Sequence, residues 1–203
     1  LYRPFAQNYL EDVLPATVKK IAVLDRAKEV GTREPLFLDV CYALRNHKDI
    51  TFIGGRYGLS SKDTNPSHIN AVFEELKKDA PKEEFTIGIE DDVTNLSISP
   101  IDIHVDADYT SCLFYGLGSD GTVGANKSTV KIIGNNTDLY SQAYFAYDSK
   151  KAGGVTRSHL RFGPTPIHSP YYINKADFIS CSQESYAFKF DMVRDLKEGG
   201  TFL

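Results

Sequence analysis

A glycine-rich stretch near the middle of the chain has the residue types that bind phosphate. Its candidate binding residues are Gly116, Gly118, Gly121, Thr122, Asn126 and Lys127. The apolar run 111–115 predicts a strand before the stretch, and the apolar spacing in 123–133 predicts a helix after it. Glycines let backbone N–H groups approach a ligand, and a helix N-terminus adds partial positive charge. Lys127 would lie one turn into that helix, where its ammonium group could contact a phosphate.

Three hypotheses fit this stretch. Its G-x-G-x-x-G spacing is that of a dinucleotide-binding loop, which needs an acidic residue about 20 positions later for the ribose. Asp138 and Asp148 are candidates for that role, but neither clearly ends the next predicted strand. A P-loop needs glycine directly before Lys-Ser, and here Asn126 precedes Lys127. The third hypothesis is a tight strand-to-helix turn without a ligand, and the motif alone leaves all three open.

Other charged residues are weaker candidates for chemistry. Arg161 is the best of them, because its planar guanidinium suits a phosphate or an ion pair. Lys150 or Lys151 could meet a cofactor phosphate, although an ordinary turn explains both equally. The three carboxylates of 90–92 cannot face one point on a strand, so a solvated turn is favoured over a Mg²⁺ site. The histidines lack metal-ligand spacing, which predicts hydrogen-bonded side chains.

Composition bounds the class of protein. The 203 residues are 41% hydrophobic and 25% charged, which is typical of a globular protein with a real core. The net charge of −4 argues against a nucleic-acid surface. No apolar run approaches the roughly 18 residues of a membrane span. The three cysteines have no C-x-x-C spacing, so they predict neither a disulfide framework nor a zinc or iron–sulfur ligand set.

The order of predicted elements indicates an α/β protein with two domains. Residues 1–80 alternate strand and helix, which predicts a Rossmann-like parallel sheet with flanking helices. The polar segment 79–84, broken by Pro81, predicts the domain boundary. Predicted strands lie at 1–5, 20–25, 50–53, 85–89, 101–105, 111–115, 143–147, 155–162 and 176–181. Predicted helices lie at 7–18, 35–46, from Asn65-Pro66 onward, at 123–133, and at 184–196 closed by Gly199-Gly200.

Seven blocks distributed along the chain share one family resemblance. They are residues 1–5 (LYRPF), 21–26 (IAVLDR), 54–59 (GGRYGL), 85–94 (FTIGIEDDVT), 116–127 (GLGSDGTVGANK), 147–154 (YDSKKAGG) and 158–163 (SHLRFG). In this order they closely resemble pyruvate:ferredoxin (flavodoxin) oxidoreductase over essentially the whole chain. Several long blocks are far more specific than a single glycine motif.

The resemblance implies an enzyme that oxidatively decarboxylates pyruvate to acetyl-CoA and CO2. Such enzymes use thiamine diphosphate with Mg²⁺, [4Fe-4S] clusters and coenzyme A, with the thiamine and cluster sites in other segments, so this chain alone is expected to be inactive. Residues 1–80 would be the C-terminal part of a Rossmann-like, transketolase C-terminal-like domain. Residues 85–203 would begin a γ-type domain, which is associated with coenzyme A. The phosphates of coenzyme A thereby become the predicted ligand of the glycine-rich stretch and of Arg161.

The resemblance also implies partners. They are the remaining domains of the same polypeptide, ferredoxin or flavodoxin, and a second copy in a homodimer, in the cytoplasm or in a hydrogenosome. Neither nucleic acid nor membrane is expected. The alternatives are the same module in a fused pyruvate:NADP⁺ oxidoreductase or a sulfite reductase flavoprotein subunit, and an NAD(P)-binding dehydrogenase module. The chain begins without Met in a predicted strand and ends at 201–203, which predicts the start of another, so a piece of a longer polypeptide is expected.

Overall fold

The structure, a computed structural model, divides the chain into two compact units. It describes residues 2–90, 92–103, 105, 108–148 and 153–203, with only the backbone at residue 61. The first unit ends at Val105 and the second begins with the next residue. Each unit has its own sheet and core.

The first unit is built on a parallel sheet. Its described strands are β1 (Lys20–Asp25), β2 (Thr51–Arg56), β3 (Glu84–Ile87) and β4 (Ser97–Ile98), in the order β1-β2-β3-β4 with every pair parallel. Three helices alternate with them, namely α1 (Gln7–Val13), α2 (Pro35–Ala43) and α3 (Pro66–Lys77). This alternation confirms the predicted parallel sheet with flanking helices.

Two glycines of β2 let large side chains lie against the sheet. A Cβ at Gly54 would come within 2.9 Å of the Phe37 ring of α2, and one at Gly55 would come within 2.4 Å of the Phe85 ring of β3. Phe85 is fully buried. The strand therefore needs glycine at both positions for the neighbouring aromatic rings to reach the core.

The start of α3 matches its sequence signals. Asn65 accepts a hydrogen bond from the backbone N–H of His68 at 3.2 Å, and the Nδ1 atom of His68 accepts one from the backbone N–H of Asn65 at 3.1 Å. Pro66 occupies the first helical turn, where its missing N–H costs nothing. This reciprocal cap satisfies two N–H groups that a helix start leaves without partners.

The division between the units lies later than the predicted boundary at 79–84. That segment is the connection from α3 to β3, and β3 pairs with β2 in the first sheet. A polar, proline-containing connection inside a parallel sheet has the same composition as a linker. A linker differs from such a connection only in whether the strands on its two sides pair in one sheet. Composition does not encode that pairing.

The second unit is built on a mixed sheet. Its described strands are β5 (Thr110–Leu117), β6 (Tyr140–Tyr147), β7 (Val155–Gly163), β8 (Ala176–Cys181) and β9 (Leu196–Phe202), in the order β6-β7-β5-β8-β9. The pairs β6–β7 and β7–β5 are antiparallel, whereas β5–β8 and β8–β9 are parallel. Helix α4 (Thr122–Asn136) packs against β5, β6 and β7. A core containing Leu113, Ile179 and Met192 also forms in this unit.

Three of the predicted elements are wrong. The stretch 184–196 forms two short 3₁₀ turns, Glu184–Phe188 and Val193–Asp195, instead of a helix. Gly199 and Gly200 lie inside β9, where a Cβ on Gly200 would come within 3.0 Å of two backbone oxygens. The described residues of 1–5 and of 101–105 lie outside strands. The backbone N–H of Ile101 instead donates to the Ser67 carbonyl of α3.

No helix in the described parts of the chain is long and apolar enough to cross a membrane.

Candidate functional site

The glycine loop, residues 117–122, carries the chain from the end of β5 into α4. Gly121 caps α4 with a φ of 93°, and Ser119 also has a positive φ, of 76°. Side chains with a Cβ rarely adopt this left-handed backbone, so glycine at 121 relieves strain at the helix start. The loop turns tightly because two of its residues lie in that region.

Packing requires glycine at position 116 but not at position 118. A Cβ on Gly116 would lie 2.7 Å from the Thr122 side chain, which folds over the end of β5. The backbone N–H of Gly118 donates to the carbonyl of Gly154, between β6 and β7, at 2.9 Å, and a Cβ on Gly118 would lie 3.4 Å from that oxygen. Gly116 therefore permits a close approach that a side chain would block, whereas a Cβ on Gly118 would lie at an ordinary contact distance.

The carboxylate of Asp120 is hydrogen-bonded to the backbone of its own loop. It accepts hydrogen bonds from the backbone N–H groups of Leu117 and Thr122, each at 2.8 Å, and from the Ser182 hydroxyl at 2.7 Å. Partial burial opposes ionisation of this carboxyl, but the bonds from Thr122, Ser182 and Leu117 outweigh it and lower the pKa of Asp120 to about 2. Asp120 is thus ionised at neutral pH.

This arrangement bears directly on the phosphate hypothesis. A phosphate bound at a helix N-terminus would use the first backbone N–H groups of the helix. Here Thr122 gives its N–H to Asp120, so an incoming phosphate would meet a negative charge already in place. The closed loop therefore suits a self-capped helix start better than an anion cradle, and it favours the hypothesis of a structural turn for the glycines.

We expect Asp120→Ala to lower the free energy of unfolding by about 1–2 kcal/mol at pH 7, because the backbone N–H groups of Leu117 and Thr122 lose a charged acceptor. The folded pKa of about 2 lies below the ordinary value of 3.8. The contribution is therefore complete above about pH 4 and is lost as the pH falls toward 2. Denaturant titrations of wild type and variant at pH 7 and pH 3 measure the difference. Asp138→Ala, an exposed change just after α4, is the control. A stability difference that stays constant with pH would contradict this assignment.

The remaining predicted residues of the stretch have separate roles. Asn126 is buried, and its amide donates to the Thr122 carbonyl one turn earlier at 2.9 Å. Lys127 is exposed, and its ammonium lies 5.4 Å from the centre of the Phe145 ring on β6, a cation–π contact. Of these residues, Lys127 alone presents a positive charge to solvent.

Ser182 belongs to this site and was missed by sequence reasoning. It follows β8, and its backbone N–H donates to the Tyr115 carbonyl at 3.0 Å. Its hydroxyl lies 3.3 Å from that of Thr122 as well as contacting Asp120. Because β5 and β8 are parallel neighbours, their carboxyl ends meet at the same sheet edge. Sixty residues separate Thr122 from Ser182 in sequence, and no local pattern predicts that they meet.

The structure does not bring Arg161 to the glycine loop. In the β5–β7 ladder Arg161 pairs with Ser111, whereas the loop end of β5 pairs through Gly116 with Thr156. Five residues along a strand correspond to about 17 Å. The Arg161 side chain is buried and donates to the backbone carbonyls of Ser169 and Tyr171.

His159 supports the same segment that Arg161 contacts. Its Nδ1 atom accepts a hydrogen bond from the backbone N–H of Ile173 at 3.0 Å, and its ring stacks on Tyr172 at 4.7 Å. Burial, together with the charges of Arg161 and Arg157, lowers the pKa of His159 to about 4. The neutral imidazole is a structural acceptor in the core, in agreement with the hydrogen-bonded role predicted for isolated histidines.

The weaker candidates are not part of the glycine-loop site or lie outside the described residues. Lys150 and Lys151 lie outside the described residues, as does Asp91 of the acidic run. Asp92 accepts hydrogen bonds from the backbone N–H groups of Thr94 and Ser97, the pattern of a polar turn. Bonds from Thr94 and Ser97 lower the pKa of this exposed carboxyl.

Burial and the charge of Asp177 raise the pKa of the Cys112 thiol to about 11, so this cysteine is inert at neutral pH.

Fold and site together define an α/β segment with one parallel and one mixed sheet, whose glycine loop is closed by its own carboxylate. Residues 111–203 match the protein family described as "Pyruvate ferredoxin/flavodoxin oxidoreductase". The whole chain aligns with enzymes of that family at 50–56% identity. Residues 111–203 thus carry a domain of this family, and the identity over the whole chain confirms the resemblance that the sequence blocks predicted.

The relatives are much longer than this chain. The pyruvate-flavodoxin oxidoreductase of Enterobacter agglomerans is 56% identical over 208 residues, which cover 100% of this chain and 18% of the relative. The pyruvate:ferredoxin oxidoreductase of Moorella thermoacetica is 54% identical with the same coverage. The mitochondrial pyruvate dehydrogenase [NADP(+)] of Euglena gracilis is 50% identical over 210 residues, which cover 100% of this chain and 12% of the relative. The chain thus spans less than a fifth of the length of these relatives.

Proposed function

We propose that this chain is one segment of an enzyme that oxidatively decarboxylates pyruvate with coenzyme A and passes the electrons to ferredoxin or flavodoxin. The observation that supports the proposal is 54–56% identity, over the full chain, to enzymes named for pyruvate and these acceptors. The products would be acetyl-CoA, CO2 and the reduced acceptor. The remaining domains would belong to the same polypeptide, because each relative is several times longer.

The proposal is tested with the full-length protein. Pyruvate and coenzyme A together should drive reduction of flavodoxin or ferredoxin, and omission of either substrate should stop it. The 203-residue chain alone should give no turnover, because the thiamine diphosphate and [4Fe-4S] sites are proposed to lie in other segments. Among the described residues no group of three histidines, cysteines or acidic residues could hold a metal ion. A pyruvate-independent reaction of the full-length protein would refute the proposal.

The role of this segment is to hold an edge of the active-site assembly, with Lys127 as its contact to coenzyme A. Gly116, Gly118 and Gly121 shape the backbone that aims α4, and Asp120 fixes the first turn. Two backbone N–H groups of the loop, those of Leu117 and Thr122, donate to the Asp120 carboxylate, whose negative charge opposes a bound diphosphate. The exposed ammonium of Lys127 has no carboxylate partner among the described residues, and it fits a single phosphate of coenzyme A.

We expect Lys127→Ala in the full-length enzyme to raise the KM for coenzyme A about tenfold. One charge-assisted contact contributes about 1.5 kcal/mol, and 1.4 kcal/mol is a factor of ten. The KM for pyruvate should change little, since that substrate reacts at the thiamine cofactor. Steady-state kinetics with coenzyme A as the varied substrate measure the effect.

Lys131→Ala is the matched control, because this exposed lysine lies one turn further along α4 and should leave the KM for coenzyme A unchanged. Equal KM values for wild type and Lys127→Ala would assign the whole loop a structural role. Loss of decarboxylation with intact coenzyme A kinetics would instead place Lys127 on the pyruvate side.

A second candidate function is supported by the Euglena relative, whose name contains NADP(+). In that case the same segment would serve a fused enzyme with a different electron acceptor. Pyruvate-dependent reduction of NADP⁺ by the full-length protein, with no activity toward flavodoxin, would favour it.

We further propose a homodimer in the cytoplasm, with an organelle as the alternative that the mitochondrial relative suggests.

A further inference from the structure

The ammonium group of Lys127 lies against an aromatic ring of the neighbouring sheet. Its distance to the centre of the Phe145 ring, on β6, is 5.4 Å. Lys127 is exposed, whereas Phe145 is partly buried. The face of an aromatic ring carries partial negative charge and attracts a cation at this distance. The contact therefore restricts where an otherwise flexible lysine side chain can place its charge.

The sheet holds the Phe145 ring on the same face as α4. In the β6–β7 and β7–β5 ladders Phe145 pairs with Ser158, and Ser158 pairs with Phe114. Paired residues of antiparallel strands direct their side chains to one face of the sheet. Gly116, two residues after Phe114, shares that face, and the Thr122 side chain at the start of α4 lies over it. Phe145 thus belongs to the face that α4 covers, on the outermost described strand.

The turn of α4 that carries Lys127 is also fixed. Asn126, the preceding residue, is buried, and its amide donates to the Thr122 carbonyl at 2.9 Å. Successive residues of an α-helix point about 100° apart, so Lys127 leaves the helix sideways when Asn126 faces the interior. The ring and the helix backbone are therefore both held in place, and the lysine side chain between them is the flexible part.

An aromatic ring can hold a lysine without neutralising it. A carboxylate in the same place would cancel the ammonium charge, and an arriving phosphate would have to displace it. The ring has no net charge, so the ammonium keeps its full attraction for an anion. A lysine side chain loses much rotamer freedom when it binds a ligand, and a ring that restricts it beforehand reduces that loss.

We propose that Phe145 is a positioning residue, which holds the Lys127 ammonium for a phosphate of coenzyme A. The inference rests on the proposed function, in which Lys127 contacts coenzyme A, and it adds how that charge is held in place. Phe145 acts through Lys127 and does not itself bind the substrate. Removal of the ring should therefore weaken coenzyme A binding only while the lysine is present.

A double-mutant cycle in the full-length enzyme, measured by steady-state kinetics, tests the proposal. Phe145→Leu keeps apolar bulk on β6 but removes the ring, and it should raise the KM for coenzyme A about three- to fivefold. The kcat and the KM for pyruvate should stay unchanged. In the Lys127→Ala background the same substitution should change the KM for coenzyme A less than about 1.5-fold, since no ammonium remains to be held. Tyr140→Leu removes an exposed ring from the same strand and is the control, which should leave every constant unchanged.

Ring-fluorinated phenylalanines at position 145 provide a second measurement that nearly preserves the shape of the side chain. Fluorine withdraws electron density from the ring face, so the KM for coenzyme A should rise with each added fluorine. Because the packing of β6 is kept, this series tests the proposal even if Phe145→Leu does not fold. A KM that is independent of fluorine content would overturn the proposal.

The coenzyme A contact and the positioning role fail in different ways. If Lys127→Ala leaves the KM for coenzyme A unchanged, the contact itself is wrong, and the positioning role is wrong with it. If Lys127→Ala raises the KM but Phe145→Leu has the same effect in both backgrounds, or none in either, the contact stands and Phe145 is a structural residue only.

Discussion

Replacing Arg56 with methionine should lower the free energy of unfolding by about 3–5 kcal/mol. The Arg56 side chain, at the end of β2, is buried, and its guanidinium is hydrogen-bonded to the carboxylates of Glu34 and Glu84. Glu34 is 1% exposed and stands at the start of α2. Methionine fills much of the same volume but removes the positive charge. The Glu34 carboxylate would then remain buried without its guanidinium, which accounts for the size of the effect.

Urea unfolding followed by circular dichroism measures this prediction. Arg33→Met is the matched control, because Arg33 also contacts Glu84, at 3.2 Å, but its side chain is 28% exposed. It should cost about 1 kcal/mol or less, as partly exposed ion pairs do. The double variant Glu34→Leu, Arg56→Met should recover part of the loss, because it removes the stranded carboxylate as well. A loss below about 1 kcal/mol for Arg56→Met would show that the network does not stabilise the first unit.

Arg161→Met should have the second large effect, a loss of about 2–3 kcal/mol of unfolding free energy, because several acceptors lose hydrogen bonds from a charged donor. The guanidinium of Arg161 donates to the side chain of Gln142 at 3.3 Å and to the carbonyls of Ser169 and Tyr171 at 3.1 and 2.8 Å. It also lies 5.7 and 5.1 Å from the ring centres of Tyr109 and Tyr171. Without it, one buried and one partly buried carbonyl lose a charged donor, and the segment 164–175 loses one of its attachments to the sheet.

This prediction separates a structural role from a binding role for Arg161. Arg157→Met is the control, because Arg157 is an exposed residue of the same strand. It should change stability by less than about 0.5 kcal/mol. In full-length enzyme that still folds, Arg161→Met should leave the KM for coenzyme A unchanged, since Arg161 lies at the opposite end of the strand pair from the glycine loop. A raised KM with unchanged stability would restore Arg161 as a phosphate contact.

Positions governed by neighbours in sequence were predictable. The strands Lys20–Asp25 and Ala176–Cys181 match their predicted bounds, because each is a short run of strand-forming residues with clear breaks. The start of α3 was equally clear, since Asn65 and Pro66 determine the cap through local backbone chemistry. The helix predicted for 184–196 was wrong although it rested on the same kind of local evidence. Its apolar residues also fit helical spacing, but the β8–β9 pairing draws the end of that stretch into the sheet.

The sequence by itself determined the family resemblance and the α/β class, because long blocks of residues and the alternation of apolar segments are both local properties. It also located the glycine loop between a strand and a helix. Only the tertiary structure showed that Asp120 closes that loop and that Ser182 joins it. The same holds for the distance between Arg161 and the loop, which follows from the register of two antiparallel strands. The physical reason is that hydrogen-bond partners and strand register are set by segments far apart in the chain, and a pattern of neighbours carries no record of which segments meet.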